Sequence, residues 1–109
     1  VNLDQSVSNN GWNLTVIGAS SLEIKLSHTI YYLKSENDVT LESGSLESIN
    51  GTSSGFNITY FDKDGNGKIS CYDVIFISNV GGSSNTAHKG YKFSLYYMDK
   101  YLMVELILK

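Results

Sequence analysis

Five oxygen-bearing side chains fall at positions 1, 3, 5, 9 and 12 of the segment Asp62-Lys63-Asp64-Gly65-Asn66-Gly67-Lys68-Ile69-Ser70-Cys71-Tyr72-Asp73: Asp62, Asp64, Asn66, Ser70 and Asp73. Gly67 occupies the sixth position, where a tight loop turns sharply, Lys68 offers its main-chain carbonyl at the seventh, and Ile69 puts an apolar side chain at the eighth. Calcium is a hard cation that takes six to eight oxygen ligands, and alternate residues of a tightly wound loop can aim at one centre. The spacing therefore predicts calcium bound by Asp62, Asp64, Asn66, the Lys68 carbonyl and Asp73, with Ser70 acting through a water.

This is the ligand pattern of an EF-hand loop with one departure: Asp73 closes it, one methylene shorter than the usual bidentate Glu. In that respect the loop resembles those of dockerins, the calcium-dependent modules of cellulosome enzymes, which carry two such loops, each leading into a helix. Here a single loop lies between two segments of strand character, Phe56 to Phe61 and Val74 to Ile77. The expectation is a calcium loop joining two strands, with an affinity of about 0.1 to 1 mM, as in extracellular modules. The competing reading is an Asp/Asn/Gly-rich hairpin turn that binds nothing.

Other reactive residues are sparse. His28 and His88 stand far apart with no second ligand at metal spacing, and Cys71 has no base placed beside it by the sequence, so no catalytic residues are assigned and Cys71 is expected to be a small, semi-buried side chain. Asn13-Leu14-Thr15, Asn50-Gly51-Thr52 and Asn57-Ile58-Thr59 are glycosylation sequons, a pattern that Asn/Thr-rich strands also produce by chance.

The elements that must hold the loop are strands. Trp12, Leu14 and Val16 alternate with polar residues, as do Leu22, Ile24 and Leu26, and later Phe56, Ile58 and Tyr60. His28 to Lys34 is rich in β-branched and aromatic residues, Asp38 to Glu42 is a shorter polar-edged candidate, and Val74 to Ile77 is apolar on both faces, as suits a central strand. Tyr91, Phe93, Leu95 and Tyr97 share one face, and Leu102, Val104, Leu106 and Leu108 share another, predicting a hairpin across Met98-Asp99-Lys100 that no glycine marks. The Gly/Ser-rich stretches Glu42 to Gly55 and Gly81 to Gly90 read as loops. About eight short strands without a convincing helix predict an all-β, antiparallel immunoglobulin-like sandwich, as a single domain over residues 1–109, with a small barrel as the structural alternative. Its core would draw on Trp12, Leu14, Leu22, Ile24, Leu26 and the row from Tyr91 to Tyr97.

Composition narrows the function classes. The net charge is -3, and all 8 basic residues are lysines, so bidentate guanidinium recognition of phosphate is absent and nucleic acid is an unpromising partner. The single cysteine permits no internal disulfide, and the longest apolar run, interrupted by Glu105, falls short of the roughly 20 residues that cross a bilayer. A start at Val1 without methionine predicts that an upstream segment was removed, and a low-charge surface rich in Ser, Thr and Asn fits an exported protein.

Trp12 to Val16, Ser45 to Gly51, Tyr60 to Ser70 followed by Asp73, and Gly90 to Leu95 together resemble the ectodomains of archaeal type IV pilin-like exported proteins. The likeness extends over most of the chain, and the Asp-rich loop is its specific part. It implies an extracellular or cell-surface, immunoglobulin-like domain, normally preceded by an apolar helix that anchors it or packs into a filament. The expected function is thus a non-enzymatic surface or filament-associated domain with a structural calcium loop and protein partners in an assembly, monomeric in the absence of the anchor. The alternative is a carbohydrate-binding module with an exposed row such as Tyr31, Tyr96 and Tyr101.

Overall fold

The computed structural model describes residues 1–19, 23–80 and 86–109. Eight strands run in the order β1 (Asn2–Ser8), β2 (Gly11–Gly18), β3 (Thr29–Lys34), β4 (Thr40–Ser45), β5 (Ile58–Phe61), β6 (Val74–Ser78), β7 (Lys92–Tyr97) and β8 (Tyr101–Ile107). They form two four-stranded sheets, β1-β2-β6-β5 and β4-β3-β7-β8, and every pairing is antiparallel. This order is the Greek-key arrangement of an immunoglobulin-like sandwich, with β4 added beside β3.

Alternation puts Trp12, Leu14 and Val16 of β2, Tyr31 and Leu33 of β3, Ile58 and Tyr60 of β5, Ile75 and Ile77 of β6, and Phe93 and Leu95 of β7 into one buried cluster between the sheets. Truncating a fully buried member such as Leu14 to Ala would cost about 2–5 kcal/mol, from lost transfer energy and the cavity left behind. The apolar segment Val74 to Ile77 becomes β6, an inner strand between β2 and β5, as its two-faced pattern requires.

Several expectations need correction. Ile24 and Leu26 are buried as predicted, yet they do not belong to a strand: Lys25 makes one isolated bridge to Lys68, and Leu26–His28 winds into a 3-10 turn that carries the chain to the other sheet. An extended crossover shows the same period of two as a strand, so alternation alone does not separate them. Leu22 lies outside the described residues, as does the part of the Gly81 to Gly90 loop at 81–85.

The strand that replaces it in the count is β1, whose polar sequence carries little apolar pattern because it is an edge strand with one neighbour. Gln5 fixes it to the opposite sheet: its Nε2 donates to the Ile107 carbonyl at 3.0 Å, and its Oε1 accepts from the Lys109 N–H at 2.8 Å. These bonds lie in an open groove of about 830 Å³ between β1 and β8. Finally, β4 continues through Glu42 to Ser45, so the stretch read as a loop from Glu42 begins as a strand.

The hairpin over Met98-Asp99-Lys100 forms with Met98 and Asp99 at φ 57° and 54°, left-handed central residues of a turn closed by the Lys100 N–H donating to the Tyr97 carbonyl at 3.1 Å. Leu102 leaves the predicted row: a bulge makes Leu95 face Val104 but Tyr96 face Leu102, which turns Leu102 outward to 53% exposure.

Candidate metal centre

Residues 62–73 connect β5 to β6, two strands paired from Phe61 opposite Val74 to Ile58 opposite Ile77. Both ends of the loop are therefore held by a ladder in the core sheet. Its far end is tied to β2, where the Tyr72 N–H donates to the Val16 carbonyl at 2.7 Å and the Val16 N–H to the Asp73 carbonyl at 2.8 Å. Gly67 sits at φ +72°, the left-handed conformation that the sixth position of such a loop requires.

The middle of the loop pairs with the crossover segment. Ile69 donates its N–H to the Ile24 carbonyl and Leu26 donates to the Gly67 carbonyl, both at 2.9 Å, while Ile69 is buried. The single loop thus has a backbone partner, the segment Ile24 to Leu26. Because the Gly67 carbonyl and the Ile69 N–H face this segment, the planar peptide groups turn the Lys68 N–H and carbonyl the other way, toward the loop interior. The Lys68 side chain reaches back across the pairing, with Nζ 2.7 Å from Glu23 Oε1. That bond and the Lys68 charge hold the exposed Glu23 carboxyl below its usual range.

Asp62, Asp64 and Asp73 come together: one carboxylate oxygen from each lies within 4.8 Å of the others. Asp73 is completely buried. Its Oδ2 accepts from the Tyr60 hydroxyl at 2.6 Å and the Ser70 N–H at 3.0 Å, and its Oδ1 from the Lys63 N–H at 3.0 Å. Burial, followed by the Asp73 hydrogen bond and charge, pushes the Tyr60 hydroxyl well above the ordinary tyrosine range, so it remains a donor. Asp62 Oδ2 accepts from the Gly67 N–H at 2.7 Å, whereas its Oδ1 is buried with no hydrogen-bond partner among the described residues. Neither of the two ion pairs among the described residues brings a lysine to this cluster.

Asn66 and Ser70 are also at hand. Asn66 Oδ1 accepts from the Lys68 N–H at 3.0 Å, and its Nδ2 donates to Asp64 Oδ2 at 3.2 Å and Ser70 Oγ at 3.0 Å. A cation beside Asp64 would require this amide to turn its oxygen inward, a rotation that interchanges two nearly isosteric groups. The donor set fits a hard cation: all oxygen, rich in carboxylate, and short of one donor at Asp62. Cys71, by contrast, is an exposed free thiol, because its neighbour Tyr72 takes φ 74° and the turn carries both side chains outward. His28 and His88 are exposed and rest against Tyr97 and Tyr91.

Tyr60 and the segment Ile24 to Leu26 are the parts of this centre that sequence reasoning missed. A signal for Tyr60 existed: it shares the inward face of Ile58, and a buried hydroxyl needs an acceptor nearby. Comparison of the chain with family models, curated proteins and solved structures finds no match.

Proposed function

We propose that this chain is a non-enzymatic module of an extracellular surface or filament assembly whose 62–73 loop takes up calcium to complete its fold. The observation that carries the calcium reading is Asp62 Oδ1, a buried acceptor without a donor inside a group of three carboxylates. An isolated buried acceptor is costly, and like charges at this separation repel, so a divalent cation relieves both penalties at once. Asp62, Asp64, Asp73 Oδ1, the Lys68 carbonyl and a rotated Asn66 would hold it, with Ser70 acting through a water. The ion would supply charge neutralisation and a link between β5, β6 and the crossover segment. Exported modules work in millimolar calcium, which matches a weak site of about 0.1–1 mM.

Calorimetry tests this directly: binding heat is expected at millimolar calcium and is lost in Asp62→Ala, and an Asp62→Ala chain that binds as well as wild type would overturn it. The surface role rests on the pilin-like resemblance and the low-charge, Ser/Thr/Asn-rich composition. Antibody labelling of intact source cells checks it, with signal expected outside the cell envelope. Of the row named for the carbohydrate-binding reading, Tyr31 is 2% exposed and Tyr96 half-buried, while Tyr101 is 58% exposed. No helix among the described residues is long and apolar enough to cross a membrane.

A further inference from the structure

The three sequons occupy unlike places. Asn13 lies in β2, an inner strand, half-buried between Ser6 of β1 and Phe76 of β6, and Thr15 is likewise half-buried between Asp4 and Val74. Asn57 is half-buried at φ 59°, and Thr59 is 7% exposed with its hydroxyl 2.9 Å from Ser53 Oγ. Asn50 and Thr52 are both exposed, and neither side chain makes a hydrogen bond among the described residues.

Between them Gly51 takes φ +75° with nothing within 4 Å of where a Cβ would sit, so the chain bends sharply and the space around the bend is open. The bend stands on a firm base. The Asn50 N–H donates to the Glu47 carbonyl at 3.2 Å, the Gly51 N–H to the Tyr60 carbonyl at 2.9 Å, and Leu46 and Ile49 beneath it are buried. A glycan needs an accessible acceptor amide, a free hydroxyl two residues on, and room for a bulky polar group. Among the three sequons, this turn meets all of these in the folded state.

We propose that Asn50 is the N-glycan acceptor of the folded domain, and that Asn13 and Asn57 are not. The co-substrate is a sugar carried on a lipid pyrophosphate. The bond formed joins Asn50 Nδ2 to the anomeric carbon, the bond broken is that carbon's link to the pyrophosphate oxygen, and the amide proton leaves to a base as the lipid pyrophosphate departs. The inference rests on the exported reading for its setting, but acceptor competence is tested without it.

The purified whole chain is incubated, folded, with an oligosaccharyltransferase that reads Asn-X-Thr and a lipid-pyrophosphate sugar, and site occupancy is read by peptide mass spectrometry. The expected result is one glycan at Asn50, with occupancy at least about tenfold above that at Asn13 or Asn57, since those positions need local opening of a ladder or core contact first. Asn50→Gln and Thr52→Ala should each abolish it, while Asn13→Gln leaves it intact. In urea the preference for Asn50 should disappear. A folded chain left bare at Asn50, or modified first at Asn13 or Asn57, overturns the proposal. Failure of the surface-labelling experiment alone would instead remove the exported setting.

Discussion

Two carboxylates brace the loops of this sandwich, and they do it differently. Glu42 on β4 accepts from the Tyr31 hydroxyl at 3.1 Å, the Ser54 hydroxyl at 2.5 Å and the Phe56 N–H at 3.2 Å, pinning the segment that leads into β5. Asp73 likewise takes one tyrosine hydroxyl and two loop donors. Glu42 belongs to no such group of acids among the described residues and is half-buried, whereas Asp73 is fully buried beside Asp62 and Asp64. Three well-placed donors satisfy one carboxylate. The cluster of three takes also the Gly67 N–H and the Asn66 amide, and the remainder appears as the bare Asp62 Oδ1. The first region is complete as a polypeptide, and the second is built with an excess of negative oxygen.

The largest expected effect separates the braces outright. Asp73→Ala strands the buried Tyr60 hydroxyl and two part-buried N–H donors and should cost about 3 kcal/mol in urea unfolding without calcium, while Glu42→Ala, where water can replace the carboxylate, should cost about half of that. Equal losses would break the comparison.

Next in size is calcium itself. At 100 times the dissociation constant the gain should be roughly 2.7 kcal/mol, several degrees in melting temperature for a chain of this length, and chelator should reverse it. Glu42→Ala should keep that increment and Asp62→Ala should lose it. A calcium response in both variants would place the ion elsewhere.

Smaller still are the tyrosines. Tyr31→Phe and Tyr60→Phe should each cost about 1 kcal/mol at neutral pH, the worth of one hydrogen bond. Burial first, and the Glu42 charge second, push the Tyr31 hydroxyl up to about 12 from an ordinary value of 10. The folded chain therefore holds this proton to higher pH than the unfolded chain does. Its contribution is complete below pH 10 and is lost as pH rises from there through about 12, so denaturant midpoints should fall across that window and fall less in Tyr31→Phe. The Tyr60 hydroxyl is shifted in the same direction, and calcium should leave the Tyr31 part of the slope unchanged.

Much of the architecture was legible from alternation. Trp12, Leu14, Phe93 and Leu95 are buried where the period of two put them, and the β7–β8 hairpin forms across its unmarked turn. The edge strand β1 was illegible because half of its surroundings are solvent, which imposes no apolar pattern on it. Ile24 and Leu26 show the converse: burial was readable, pairing was not, since an extended crossover and a strand present the same face to the core.

The sequence by itself determined the oxygen-rich loop and the strand periodicity, because both are local: a turn needs its glycine and a pleat its alternation within a few residues. Only the tertiary structure decided which oxygens are free. The donors to Asp73 come from Tyr60 on a strand and from Lys63 and Ser70 within the loop, and Ile24 to Leu26 arrive from a crossover more than 40 residues earlier to turn the Lys68 carbonyl inward. Hydrogen-bond satisfaction depends on what the fold carries to within about 3 Å, so a ligand list can be read from spacing, while the donor missing from Asp62 cannot.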